Sequence, residues 1–187
     1  MKIVIIDSYD SFTYNLVHYL ENLNVEVTVL RNDEFDLEVL DIYDKILLSP
    51  GPGIPGEAGL LKDVIKTYHN KKSILGVCLG LQAIGEVYGG QLMNLEKVYH
   101  GVATTVKQLE YDYLFDELPE EMTVGRYHSW VVSHDNLPKD LIVTSVDENG
   151  QIMSLKHQYD DVRGVQFHPE SVLTPHGKKM IENWVKH

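Results

Sequence analysis

Cys78 sits in Gly76-Val77-Cys78-Leu79-Gly80, a G-x-C-x-G segment between an apolar run and an amphipathic one. The layout is that of the G-x-S-x-G nucleophile elbow, with sulfur in place of oxygen. Glycines flank it because a tight strand-to-helix turn forces strained backbone and close packing. Such a turn lifts the sulfur to a sheet edge and sets it at a helix N-terminus, where the dipole favours thiolate. The N–H of Leu79 then points at a developing oxyanion. The competing reading is a buried cysteine serving as a small hydrophobe, the usual state of a lone cysteine. The glycines and the position favour the nucleophile.

A thiolate nucleophile wants a base. Among nine histidines, His168 follows the run Arg163-Gly164-Val165-Gln166-Phe167 directly, so its side chain should emerge at the same sheet edge as Cys78. Glu170, two residues on, is spaced to orient the imidazole and stabilise imidazolium, the third role in a triad. His18 falls within a helix. His69, His157, His176 and His187 read as solvated surface, and His100, His128 and His134 as pocket residues at best. No histidine spacing supports a metal site. One cysteine excludes an internal disulfide and a cysteine-based zinc cluster.

Two further segments bear on this chemistry. Pro50-Gly51-Pro52-Gly53 can cradle phosphate or present the Gly53 N–H as a second oxyanion donor. It lacks the Gly-Lys-Ser/Thr of a P-loop, and the second reading completes the thiolate chemistry. Gln82 lies one helical turn after Cys78, able to donate to or accept from a polar substrate. Asp7, Asp10 and Ser11 cluster after the first apolar run, as in magnesium-binding receiver modules. However, the third strand ends in Ser49-Pro50, so no phosphoacceptor carboxylate is visible.

The elements that must hold these residues follow from periodicity. Strands are predicted over Lys2–Asp7, 25–30, 45–49 and Ser73–Val77, with helices over 12–22 (Ser11 as cap), 34–43, 59–68 and 79–88. The second half is strand-rich: 90–95, 103–109, 123–127, 141–146, 152–156 and 163–167, then a helix over Gly177–Lys186. This rhythm predicts an α/β fold with a doubly wound, mostly parallel (flavodoxin-like) sheet. Helices cover both faces, a small antiparallel appendage follows in the second half, and residues 1–187 form one domain. Ligands of such sheets bind beyond the carboxyl ends of the strands, where residues 7–11, 49–53, Cys78 and 168–170 all fall.

Composition narrows the partners. Sixteen Lys+Arg against 28 Asp+Glu give a net charge of −12, which disfavours nucleic acid and anionic membrane surfaces. No run approaches the ~20 apolar residues of a spanning helix. The run Met1 to Asp7 is too short for a signal peptide, so the expected compartment is the cytoplasm.

Five segments together resemble the class I (triad-type) glutamine amidotransferases, in family order and over nearly the whole chain. They are Asp7 to Leu16 (DSYDSFTYNL), Ser49 to Gly53 (SPGPG), Gly76 to Gln82 (GVCLGLQ), Arg126 to Trp130 (RYHSW) and Gly164 to Ser171 (GVQFHPES). The opening, Tyr127-His128-Ser129 and the Phe167 to Thr174 stretch resemble most the small-subunit branch of anthranilate synthase, with that of aminodeoxychorismate synthase a near relative. The resemblance implies Cys78 as nucleophile, His168 as general acid/base and Glu170 as its partner. Gly53 and Leu79 would be oxyanion donors. Gly51, Pro52, Gly53, Gln82, Ser129 and Trp130 would hold L-glutamine. It implies no cofactor in this chain, and a separate large subunit that binds chorismate and Mg²⁺ and receives the ammonia. Two positions depart from the pattern: Leu81 where His is usual, and Val102 where Lys commonly follows His-Gly.

Two rivals belong to other classes. A thiol hydrolase on an α/β-hydrolase sheet orders its triad nucleophile, acid, histidine, whereas here His168 precedes Glu170 on one loop. A non-enzymatic flavodoxin-like binding module would leave function intact in Cys78→Ser.

Overall fold

The computed structural model describes residues 1–187. Strands β1 (Lys2–Asp7), β2 (Glu26–Arg31), β3 (Lys45–Leu48) and β4 (Ser73–Val77) alternate with helices α1 (Thr13–Glu21), α2 (Leu61–Tyr68) and α3 (Leu79–Val87). Then come β5 (Leu92–Asn94), β6 (Val102–Gln108), β7 (Glu121–Arg126), β8 (Trp130–Val132), β9 (Leu141–Asp147), β10 (Ile152–His157), β11 (Val162–Val165) and α4 (Gly177–Lys186). One sheet runs β2-β1-β3-β4-β11-β10-β9-β6-β7, and β5 pairs with β8 in a separate two-stranded sheet. The first five strands in that order are parallel and the remaining four antiparallel. The doubly wound parallel half is as expected. Most of the antiparallel strands extend its edge, and only β5–β8 stands apart.

The period-two alternation of the strands separates two apolar layers. Ile3, Ile5, Leu47, Leu75 and Val77 pack with α1 and α4 on one face. Val4, Ile6, Ile46, Leu48 and Ile74 pack with α2 and α3 on the other. Each fully buried Ile or Leu contributes roughly 1.5–3 kcal/mol relative to exposure. This core fixes the register that matters for the site: Ile6 lies beside Leu48, Leu48 beside Gly76 and Val77 beside Val165. Ser8, Ser49, Cys78 and Gln166 therefore leave the sheet at one edge. β2 and β3 lie on opposite sides of β1, so the crevice between β1 and β3 is the topological switch point where ligands of such sheets bind.

Three expectations need correction. Ser11 does not cap α1; Asp10 Oδ1 accepts the Phe12 N–H at 2.7 Å instead. The helix expected over 34–43 is a 3₁₀ segment, Leu37–Ile42, because only Leu40 of it is buried and no apolar stripe forms. His157 is buried rather than solvated, its ring stacked on Tyr88 at 4.3 Å, whereas His69 stays half-exposed with Nδ1 2.6 Å from Asp160. The two departures from the family pattern fall at defined places in the fold. Leu81 is fully buried in the core on the α2–α3 face, with its side chain against Gly164 of β11. Val102 opens β6 opposite Arg126.

Candidate active site

Cys78 is the residue between β4 and α3, with φ 52° and ψ −101°. A non-glycine residue holds such angles only where its surroundings impose them. Here they do. A Cβ on Gly76 would lie 2.5 Å from the Gly80 carbonyl carbon, and one on Gly80 would lie 2.7 Å from the Leu48 carbonyl oxygen. The Cys78 N–H donates to the Val165 carbonyl at 2.8 Å, tying the turn to β11. Leu79, the first residue of α3, has its N–H ahead of the helical ladder, available to an anion.

His168 is buried, and its Nδ1 lies 2.6 Å from Glu170 Oε1, itself buried. The ring is boxed by Tyr127 (centroids 4.7 Å apart) and the edge of Phe12 (5.5 Å). The His168 N–H donates to the Gly125 carbonyl and its carbonyl accepts from Thr174 Oγ1 at 2.6 Å, so backbone and ring are both fixed. Nε2 is buried with no partner of hydrogen-bonding geometry. Burial opposes the charge on this imidazole, but the neighbouring Cys78 and Glu170 outweigh it and raise its pKa to about 10. The ring therefore keeps its proton at neutral pH.

Cys78 lines two adjoining cavities. One, about 200 Å³, is bounded by Gly51, Pro52, Gly53, Gln82, Ser129 and Trp130, with Tyr99, His100 and His128. The other, about 510 Å³, contains His168, with Tyr9, Asp10, Phe12 and Tyr127. Burial holds the Asp10 carboxyl above its usual range. Each residue expected to hold substrate thus lines the first cavity, and His168 shares the second with Cys78. Glu170 lines neither; it stands behind His168. Gly53 has φ 72°, and its N–H donates to no backbone carbonyl. His134 lines neither cavity and accompanies the Gly150 carbonyl instead.

The sequence reading missed a polar network beneath the first cavity. Arg126 is fully buried, paired with Asp147 at 2.7 Å and lying 3.5 Å over the Tyr99 ring. Its Nε donates to His128 Nε2 at 3.1 Å, and His128 Nδ1 lies 3.0 Å from the Trp130 carbonyl. Burial, then the Arg126 charge, lowers the His128 pKa to about 3, so this imidazole is neutral. Gln82 Nε2 donates to the same carbonyl at 2.9 Å and to Gln166 Oε1 at 3.2 Å, and Gln166 Nε2 lies 3.5 Å from Cys78 Sγ. A signal for Gln166 was present: it precedes His168 by two residues, the spacing that puts extended-chain side chains on one face. Arg126–Asp147 had none, being a pairing across two strands.

A cysteine on a strained elbow, a charged imidazole beside it and a carboxylate behind that imidazole are equipped for acyl transfer through a thioester. The family model for class-I glutamine amidotransferases matches residues 4–187. The chain belongs to that family. It is 41% identical to anthranilate synthase component 2 of Pseudomonas aeruginosa, over 98% of this chain and 94% of the relative. It is 43% identical to aminodeoxychorismate synthase component 2 of Escherichia coli, over 98% of both chains. Its fold is similar to the solved structure of a proposed GMP synthase component from Thermoplasma acidophilum, with a TM-score of 0.90 at 27% identity over 100% of this chain and 92% of that one. No helix of this class-I amidotransferase is long and apolar enough to cross a membrane.

Proposed function

We propose that this amidotransferase hydrolyses L-glutamine to glutamate and ammonia at Cys78 and supplies the ammonia to a separate chorismate-binding synthase subunit that makes anthranilate. The observation that carries the chemistry is the strained Cys78 turn lining a cavity with His168, whose Nδ1 is held by the buried Glu170 carboxylate behind it. Glutamine lies in the cavity of Gly51, Pro52, Gly53, Gln82, Ser129 and Trp130. The Cys78 thiolate adds to the side-chain carbonyl carbon, and the electron pair moves to oxygen, where the N–H groups of Gly53 and Leu79 receive it. His168 passes its Nε2 proton to the departing nitrogen. The C–N bond breaks, leaving ammonia and a γ-glutamyl thioester. Water then attacks the thioester while His168 takes its proton, the C–S bond breaks, and glutamate and the thiolate result. Glu170 holds the His168 ring in position throughout and stabilises it when it is imidazolium.

No cofactor is needed in this chain, and Mg²⁺ belongs to the partner's chorismate chemistry. The 187 residues act as one amidotransferase domain, with the cytoplasm as its compartment. The partner docks around Asp10, Ser11 and residues 50–55, beside the exposed Tyr9 and Val172, and completes the site. The relatives' names favour anthranilate as product. The similarity to aminodeoxychorismate synthase component 2 supports the alternative acceptor reaction with the same glutaminase chemistry. The test of the chemistry is covalent labelling with 6-diazo-5-oxonorleucine, with the large subunit present. A single adduct on the Cys78 peptide, absent in Cys78→Ala, is expected. No adduct in the wild type, or an adduct that persists in the variant, overturns the assignment.

A further inference from the structure

We infer that Gln166 is a further catalytic residue of this site, an amide donor to the Cys78 sulfur that is aimed by a relay through Gln82. The inference rests on Cys78 being the nucleophile. Gln166 is fully buried, and burying an amide is costly unless its polar atoms are used. Both ends are used: Oε1 accepts from Gln82 at 3.2 Å and Nε2 lies 3.5 Å from Sγ.

The direction of the relay is set by groups whose roles are fixed. Arg126 can only donate, so His128 Nε2 accepts from it, and the neutral ring carries its hydrogen on Nδ1, which donates to the Trp130 carbonyl. That carbonyl can only accept, so Gln82 turns its nitrogen toward it. The second hydrogen on the same nitrogen goes to Gln166 Oε1, which leaves the Gln166 nitrogen facing sulfur. Two consequences follow. Gln82 has spent both N–H groups inside the protein and offers the cavity an acceptor, its Oε1, alone. The Gln166 donor strengthens when the sulfur is negative, in the attacking thiolate and again as the thioester breaks down. The same carbonyl that walls the glutamine cavity thereby sets the geometry at the nucleophile.

Alkylation by iodoacetamide isolates the sulfur, because the C–S bond forms as iodide leaves and no glutamine site is needed. Gln166→Leu is expected to slow alkylation of Cys78 at pH 7 by about tenfold, the scale of one hydrogen bond to a charged acceptor. Gln82→Leu slows it less, and the double variant is no slower than Gln166→Leu, because both changes cut one chain. Gln166→Glu keeps the shape and the acceptor for Gln82 but sets a carboxylate against sulfur. It slows alkylation further, and it carries the test if the Leu variant fails to fold. Wild-type rates in the folded Gln166 variants, or effects of Gln82→Leu and Gln166→Leu that multiply, overturn the inference. A wild-type Cys78 no more reactive than free cysteine sinks the nucleophile reading as well; a reactive Cys78 indifferent to Gln166 sinks this inference alone.

Discussion

Cys78 combines a backbone state that costs a non-glycine residue roughly 1–3 kcal/mol with a side chain that nothing else in the chain can replace. Cys78→Gly should therefore be more stable than Cys78→Ala by about 1 kcal/mol in urea unfolding, the reverse of the order inside a helix. Both variants should lack glutaminase activity. The two buried imidazoles respond to pH with opposite signs. His128 is lowered from 6.5 to about 3, so its neutral burial contributes stability that is complete above about pH 6.5 and is lost as pH falls toward 3. The loss is at most about 1.4 kcal/mol per pH unit. His128→Asn, whose amide can still donate to the Trp130 carbonyl, should show a flatter fall in urea midpoint between pH 7 and 4.5 than the wild type. His168 is raised, so its contribution is complete below about pH 6.5 and is lost as pH climbs toward 10. At this scale the sequence was most informative where roles are local. His168 and Glu170 lie on one short loop, and Cys78 carries its glycines with it. The relay from Arg126 to Gln166 was hidden because its partners come from β7, β9, α3 and the end of β11.

The elements that hold the site meet where glycine lets them. A Cβ on Gly177, the first residue of α4, would lie 1.7 Å from the Pro169 carbonyl oxygen, between His168 and Glu170. A Cβ on Gly125 of β7 would lie 2.9 Å from Leu173 Cβ, on the far side of the same loop. Gly177→Ala is expected to push the Pro169 loop off its seat, costing about 1–3 kcal/mol in thermal unfolding. It should also lower glutaminase kcat more than KM, since His168 and Glu170 move while the cavity of Gly51 and Trp130 does not. An unchanged kcat with lowered stability would separate α4 from the site. The buried parallel strands were legible nearly to the residue because unbroken apolar runs admit few other readings. β8 was not: Trp130–Val132 is three residues long and acquires its strand character only by pairing with Leu92–Asn94. The 3₁₀ turn Tyr113–Phe115, built around an Asp112 side chain that accepts the Leu114 N–H, had too few residues to show a period.

The whole molecule places a water-sensitive transfer at the open edge of an acidic chain. The net charge is −12, and the two cavities that share Cys78 open beside loops after β1, β3 and β4. Sequence periodicity foresaw the doubly wound half and the convergence of those loops. It did not foresee that β10, β9, β6 and β7 would continue the same sheet, because that depends on long-range pairing such as Val106 beside Asp147. Ammonia released at such an edge is useful only to a partner seated over it. The most direct measurement is a reconstitution of this chain with an anthranilate synthase large subunit, chorismate, Mg²⁺ and glutamine, followed by anthranilate fluorescence. The expected result is glutamine-dependent anthranilate in the wild type that is lost in Cys78→Ala, with synthesis from added ammonium retained in both. Glutamine-dependent anthranilate that survives in Cys78→Ala would contradict the account.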